Sequence, residues 1–260
     1  MTFKFLLPAL TACLLTACGG SDDDGMGNPG DRPSASEQQA FEASKLKVEP
    51  VNWVSGTPAP YRLEVDGAVL EAADAKTARI DARRLPAGFA SLSGNYIFPN
   101  DNNYRLPATV RSYQGFRSGV YIDHSDQPGV FANGGDYGVW SKAEQLPSSG
   151  RATYRGAAFD RVNEGTLTYH VDFAARTGEG QIDGLPRYDG TITLHRAGFQ
   201  THDDGAIGVK KGAADTRYKG SLTYYTKFAG AGAEELTGHV VNAADTEIVG
   251  FHGTRGEISQ

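Results

Sequence analysis

Six histidines, two cysteines and several aspartate- and glycine-rich turns are the residues of this 260-residue chain that could do chemistry. Neither a Gly-x-Ser-x-Gly elbow nor a His-Glu-x-x-His helix occurs in it. His202-Asp203-Asp204-Gly205 has the residue types of a cation loop without the ligand spacing of one, and reads as a solvated hairpin turn. Gly115–Gly119 and Asn133–Gly138, which contains Gly134-Gly135-Asp136, are glycine-rich but have no helix after them, as a phosphate cradle requires. No catalytic residue and no metal site is assigned, and the chain reads as non-enzymatic. Among the histidines, His170 and His195 alternate with Leu167/Val171 and Ile192/Leu194, so they belong to a solvent face. His252 is out of phase with Val249 and Phe251, His239 abuts Gly238, and His202 is in a loop. His124 is different. It ends the strand-like run Val120-Tyr121-Ile122-Asp123 on the face of Val120 and Ile122, with Tyr113 and Tyr121 in the same expected hairpin. An imidazole and two phenols beside an apolar strand are groups that could hold a captured ligand.

Both cysteines sit at the N-terminus. Lys4 and the apolar run from Phe5 to Leu15 form a charged start followed by a hydrophobic stretch, too short to cross about 30 Å of hydrocarbon as a helix. This is the form of a signal peptide, over residues 1–17. Its last residues, Leu15-Thr16-Ala17-Cys18, resemble a bacterial lipobox, which makes Cys18 the lipidated N-terminus after cleavage. Gly19 and Gly20 follow without the aspartate of inner-membrane retention, so outer-membrane delivery in a Gram-negative envelope is expected. Cys13 leaves with the signal, and no thiol remains for disulfides, thiolate metal sites or nucleophiles.

The stretch 18–41 is rich in Gly, Ser, Pro and Asp and reads as a lipidated flexible tether; Asp22-Asp23-Asp24 is a solvated spacer within it. From residue 42 on, short alternating segments recur between turn residues, the signature of an all-β fold. An N-terminal β-domain is expected over 42–145, with strands at Tyr61–Val65, Ala68–Glu71, Thr77–Asp81, Thr109–Tyr113, Gly119–Asp123 and Tyr137–Ser141. Phe98–Pro107 reads as a loop, and Ser36–Lys47 as one or two helical turns. Residues 146–260 show eight sequential strands: Arg151–Gly156, Thr166–Ala174, Gly178–Asp183, Asp189–Arg196, Ala206–Lys210, Arg217–Phe228, Leu236–Asn242 and Thr246–His252. Such a series, with one apolar face per strand, predicts a filled antiparallel up-and-down β-barrel. Val171 and Phe173 face its core. With 25 basic against 31 acidic residues, the net charge of −6 argues against nucleic acid as a partner.

The C-terminal half resembles a known family. Leu146-Pro147-Ser148-Ser149-Gly150-Arg151-Ala152-Thr153-Tyr154-Arg155-Gly156-Ala157-Ala158-Phe159 is similar to the opening of the C-terminal barrel of factor H-binding protein. Leu167–Arg176 and Gly178–Ile182 continue the match. The run Phe228-Ala229-Gly230-Ala231-Gly232-Ala233-Glu234-Glu235-Leu236-Thr237-Gly238 resembles a turn shared with transferrin-binding protein B and a heparin-binding antigen. Leu63–Gly67 and Tyr113–Gly119 are weaker likenesses to the N-terminal half of the same superfamily.

The resemblance implies a twisted N-terminal β-domain packed on an eight-stranded barrel, flipped to the cell surface by an outer-membrane translocon. Relatives bind host molecules, among them a complement regulator, iron carriers, haem or haem carriers, and heparin. The expected function is therefore binding of a host serum or surface protein, with no cofactor required. A haem-binding protein resembling haemophilin, using His124, Tyr113 and Tyr121, is the first alternative. A structural envelope lipoprotein without a host ligand is the second.

Overall fold

The computed structural model of the protein describes residues 32–50, 62–65, 68–72, 77–98, 102, 104–125, 132–217, 221–242 and 248–260. The signal peptide, Cys18 and the tether up to residue 31 lie outside the described residues. The first element, helix α1 (Ala35–Ser44), begins within the segment expected as tether. Its start is set by a capping box: Ser34 Oγ accepts from the Glu37 N–H, and the Glu37 carboxylate accepts from the Ser34 N–H. The helix buries Phe41, which stacks on Tyr137 at 5.9 Å.

Eight antiparallel strands follow: β1 (Leu46–Pro50), β2 (Arg62–Val65), β3 (Ala68–Ala72), β4 (Thr77–Asp81), β5 (Gly88–Phe98), β6 (Tyr104–Gln114), β7 (Ser118–Ser125) and β8 (Ala132–Gly138). They make one sheet in the order β1-β4-β3-β2-β5-β6-β7-β8. Its own core is Leu63, Tyr96, Leu106, Ala108, Val110, Tyr121 and Tyr137, with Phe41 from the helix. Tyr96 donates a buried hydrogen bond to Asp123.

Three expectations for this half are corrected. Neither β1 nor β5 was anticipated, although β5 is one of the two longest strands of the sheet. Within the expected loop Phe98–Pro107, Phe98 and Tyr104–Pro107 are ladder residues, since Tyr104 pairs with Phe98 and Pro107 with Asn95. The last strand is Ala132–Gly138 rather than Tyr137–Ser141. In β5 and β8 glycines lie within the ladder, and in β8 they mark close approach of a neighbour rather than a turn. A Cβ on Gly135 would fall 2.4 Å from the Tyr121 hydroxyl.

The second half closes on itself. Strands β9 (Arg151–Phe159), β10 (Glu164–Asp172), β11 (Thr177–Leu185), β12 (Gly190–Gly198), β13 (Gln200–Thr201), β14 (Ile207–Gly208), β15 (Gly212–Asp215), β16 (Leu222–Ala229), β17 (Glu235–Asn242) and β18 (Ile248–Arg255) include a barrel in the order β10-β11-β12-β15-β16-β17-β18-β9. The eight-stranded antiparallel barrel is as expected; one strand of it is not. Ala206–Lys210 does not enter the ladder, and β15 takes that place. Ile207 and Val209 are buried in the barrel core all the same. Their segment crosses as a strap, with the Ile207 N–H donating to Ser141 and the Val209 N–H to Thr226 Oγ1. Apolar content reported burial, not which ladder the chain joins.

The interior is filled. Leu167, Tyr169 and Val171 of β10 point in, and Phe173 follows with none of its surface exposed. Tyr154, Tyr224, Phe228 and Phe251 complete the packing. The phenols find partners inside: Tyr154 donates to the Ala233 carbonyl at 2.5 Å, and Tyr224 to the His195 carbonyl at 2.7 Å. Burial pushes the hydroxyls of Tyr154, Tyr169 and Tyr224 above the ordinary tyrosine range. No helix among the described residues is long and apolar enough to cross a membrane.

Candidate functional site

The barrel presents two kinds of outer wall, and the N-terminal sheet covers one of them. Strand β7 lies between the two cores. Its even positions Ser118, Val120, Ile122 and His124 face the barrel, and its odd positions Tyr121 and Asp123 face the sheet's own core, as strand alternation requires. Val120 and Ile122 pack on Phe159 of β9, with Phe89, Tyr113 and Ile248 around them. This apolar contact is small, and charged groups flank it on three sides.

The first is Glu235. In the turn before β17, Gly230 (φ 91°) and Ala233 (φ 57°) adopt left-handed backbone. Gly232 donates its N–H to the Glu234 carboxylate at 3.0 Å, which shapes the turn from within. Glu235 follows and points out of the barrel, although almost none of its surface is exposed. Its carboxylate accepts from the Phe116 N–H at 2.8 Å, the Arg117 N–H at 3.0 Å, Ser118 Oγ at 2.8 Å and His252 Nε2 at 3.1 Å. Burial pushes that carboxyl up, but the His252, Ser118 and Arg117 hydrogen bonds outweigh it and hold it below the usual carboxylate range. The Tyr113 ring stacks on His252 at 4.9 Å, and its own hydroxyl is pushed up by burial and then by the Glu235 charge. A Cβ on Gly115 would sit 2.5 Å from His252 Nε2, so only glycine fits there. The turn dismissed as a phosphate cradle does cradle an anion, and the anion is the protein's own.

The second is Arg111 of β6. Its guanidinium is nearly fully buried and donates to the carbonyls of Asp160 (2.7 Å) and Asn163 (2.8 Å) in the β9–β10 turn, above the Phe89 ring. The third is Lys227 of β16, which bridges Asp136 of β8 at 2.9 Å and Asp204 at 2.8 Å over the Trp140 ring. Burial opposes its charge, and the two carboxylates outweigh burial and raise its pKa. Arg117 adds contacts to Glu37 of α1 at 3.4 Å and to Glu234 at 4.0 Å.

The other wall is open. Arg151, Thr153, Arg155, His170, Asp172 and Glu179 stand on the outer side of β9–β11 and, with the C-terminal segment after β18, line a groove of about 740 Å³. Arg151 pairs with Asp172 at 3.2 Å, and His170 Nδ1 lies 2.9 Å from Thr153 Oγ1. Among the described residues, no group of three or more His, Cys, Asp or Glu could hold a metal ion.

The residues singled out for ligand capture do not share a pocket. His124 and Tyr113 both face the barrel, but Tyr113 pairs with Val120 and is therefore four residues, about 13 Å, along the ladder from His124. Tyr121 is on the opposite face, in the sheet's core. The reason is the two-residue period: positions 121 and 124 differ by an odd number. Sequence reasoning missed Glu235, Arg111 and Lys227. The Ala233-Glu234-Glu235 motif was the available signal for the first, since two carboxylates closing a glycine turn need donors from somewhere.

Together the fold and its seam define a β-protein in which a curled eight-stranded sheet packs on one side of a filled eight-stranded barrel. Residues 144–240, which include most of the barrel, match the family model described as "Factor H binding protein, C-terminal". Among solved structures, a double mutant of the vaccine antigen Transferrin Binding Protein B from Haemophilus parasuis Hp5 aligns at 15% identity and a TM-score of 0.41, covering 82% of this chain and 42% of that one. The intact Ap-TbpB structure with N and C lobes aligns at 13% identity and 0.42, covering 80% and 48%. A chain described as a surface lipoprotein aligns at 17% identity and 0.39, covering 76% of this chain and all of that one. This chain spans less than half the length of the transferrin-binding chains it matches.

Proposed function

We propose that the protein is a lipid-anchored, surface-displayed outer-membrane protein that binds a host protein through the open wall of its barrel, without catalysis. The observation that carries this reading is the match of residues 144–240 to a family of binding proteins. Physics supports the choice of wall. The barrel interior is occupied by Tyr154, Tyr169, Phe173 and Phe228, so recognition falls to outer faces and loops. One outer wall is taken up by the N-terminal sheet, which leaves the Arg151–Asp172–His170 groove. Interleaved guanidinium and carboxylate groups suit the polar surface of a protein partner, where charge complementarity sets specificity. Lipid attachment at Cys18, from the Leu15–Cys18 pattern, and export by an outer-membrane translocon complete the reading.

The test is capture from serum by cells displaying the full chain. Recovery of a serum protein by wild-type cells, and its loss with Arg151→Glu plus Arg155→Glu, is the expected result. Cys18→Ala should release the chain from membranes. A Soret band on haem titration of the purified protein, lost in His124→Ala, would make haem the ligand instead. Absence from the surface of intact cells, with neither ligand bound, would leave a structural envelope protein.

A further inference from the structure

One buried carboxylate gathers donors from both halves of the molecule. Glu235 takes four donors from two sources: the Phe116 and Arg117 N–H groups and the Ser118 hydroxyl from the sheet, and His252 from the barrel. The charged and titratable groups near it are His252 from β18, Tyr113 and Arg117 from the β6–β7 hairpin, and Glu234 from its own turn; Glu37 of α1 is reached through Arg117. A buried anion is tolerated only where donors converge on it, and three of the four donors come from the sheet. The dependence runs both ways. Lifted off without water entering, the Phe116 and Arg117 amides would lose their acceptor, and Glu235 would keep only His252.

We propose that the Glu235 carboxylate is the latch that fixes the N-terminal sheet to the barrel, so that removing its charge loosens the seam while the barrel stays folded. The shared turn motif then has a mechanical role. Gly230 and Ala233 bend the chain, Glu234 stiffens the bend, and Glu235 projects the charge into the Gly115–Ser118 turn. The barrel itself does not need this residue, because the packing of Tyr154, Phe228, Leu236 and Phe251 lies on the other side of the strand. The latch works whatever the open wall binds.

Amide hydrogen exchange on the full-length protein tests it, comparing wild type with Glu235→Gln, Glu235→Ala and, as a control on the open wall, Glu179→Gln. Exchange at Phe116, Arg117 and through β7 should rise at least about tenfold in both Glu235 variants, the scale of one lost charge-assisted hydrogen bond. Amides of β10 and β16 should keep their protection, and Glu179→Gln should leave exchange at the β6–β7 turn as in wild type. Unchanged exchange at the β6–β7 turn in both variants would overturn the latch. So would equal loss of protection in β10 and β16, which would make Glu235 a residue of barrel folding.

Discussion

Strand β9 runs from one wall of the barrel to the other, and its outward residues record the change. Arg151, Thr153 and Arg155 belong to the open groove, whereas Phe159, four residues beyond Arg155 and in the same outward phase, is fully buried under Val120 and Ile122. The histidines make the same comparison. His170 pairs across to Thr153 and is exposed; His252 pairs across to Ala157 and retains only 2% of its surface. Both imidazoles leave the barrel in the outward direction. What differs is what lies beyond: solvent over one, and Tyr113 with the Glu235 cluster over the other. Alternation along a strand separates inside from outside. It does not say whether the outside is a surface.

The largest effect should come from the interior, which neither wall shares. Phe173→Ala removes a ring packed against Phe228 and is expected to lower unfolding free energy by about 3–5 kcal/mol in denaturant titration. A small loss would mean that the interior is not filled. On the covered wall, Arg111→Ala should cost about 2–3 kcal/mol, because the Asp160 and Asn163 carbonyls lose a charged donor at once. His252→Ala should cost about 1–3 kcal/mol by leaving Glu235 one donor short. On the open wall, His170→Ala should stay within about 0.5 kcal/mol of wild type. Equal losses for His170→Ala and His252→Ala would erase the distinction between the walls.

Acid provides a subtler probe of the seam. The Glu235 carboxyl is held below its ordinary value in the folded chain, so the unfolded chain takes up that proton first. Its contribution is present at neutral pH and is lost as pH falls through the folded value. Thermal melts from neutral pH into the acid range should therefore show a decline that is shallower in Glu235→Gln. Parallel declines in the two proteins would place the acid-sensitive groups elsewhere, Asp204 beside Lys227 being the next candidate.

Much of the barrel was legible before any coordinates. Thr166–Phe173 alternates so regularly that its inward set, Leu167, Tyr169, Val171 and Phe173, could be named outright. The strand Gly212–Asp215 was invisible because glycine and alanine carry no apolar signal, while Ala206–Val209 carried one and became a strap. In the other half, β5 and the glycine-bearing β8 went unread or misplaced, since both faces of that sheet are partly covered and turn residues lie within its ladders. The proposed ligand residues are separated for two reasons: Tyr121 differs from His124 by an odd number along one strand, and Tyr113 is set about 13 Å from His124 by the register between strands.

The sequence by itself determined the all-β class, the closed barrel and its inward residues, because side-chain alternation is a local property that each strand states alone. It also held the glycine turn ending in Glu234 and Glu235, without saying what the second carboxylate meets. Only the tertiary structure decided that. The donors for Glu235 lie 117 or more residues away for the sheet and 17 away for His252. A buried charge is defined by whatever closes over it, and long-range docking leaves no periodic trace in the chain.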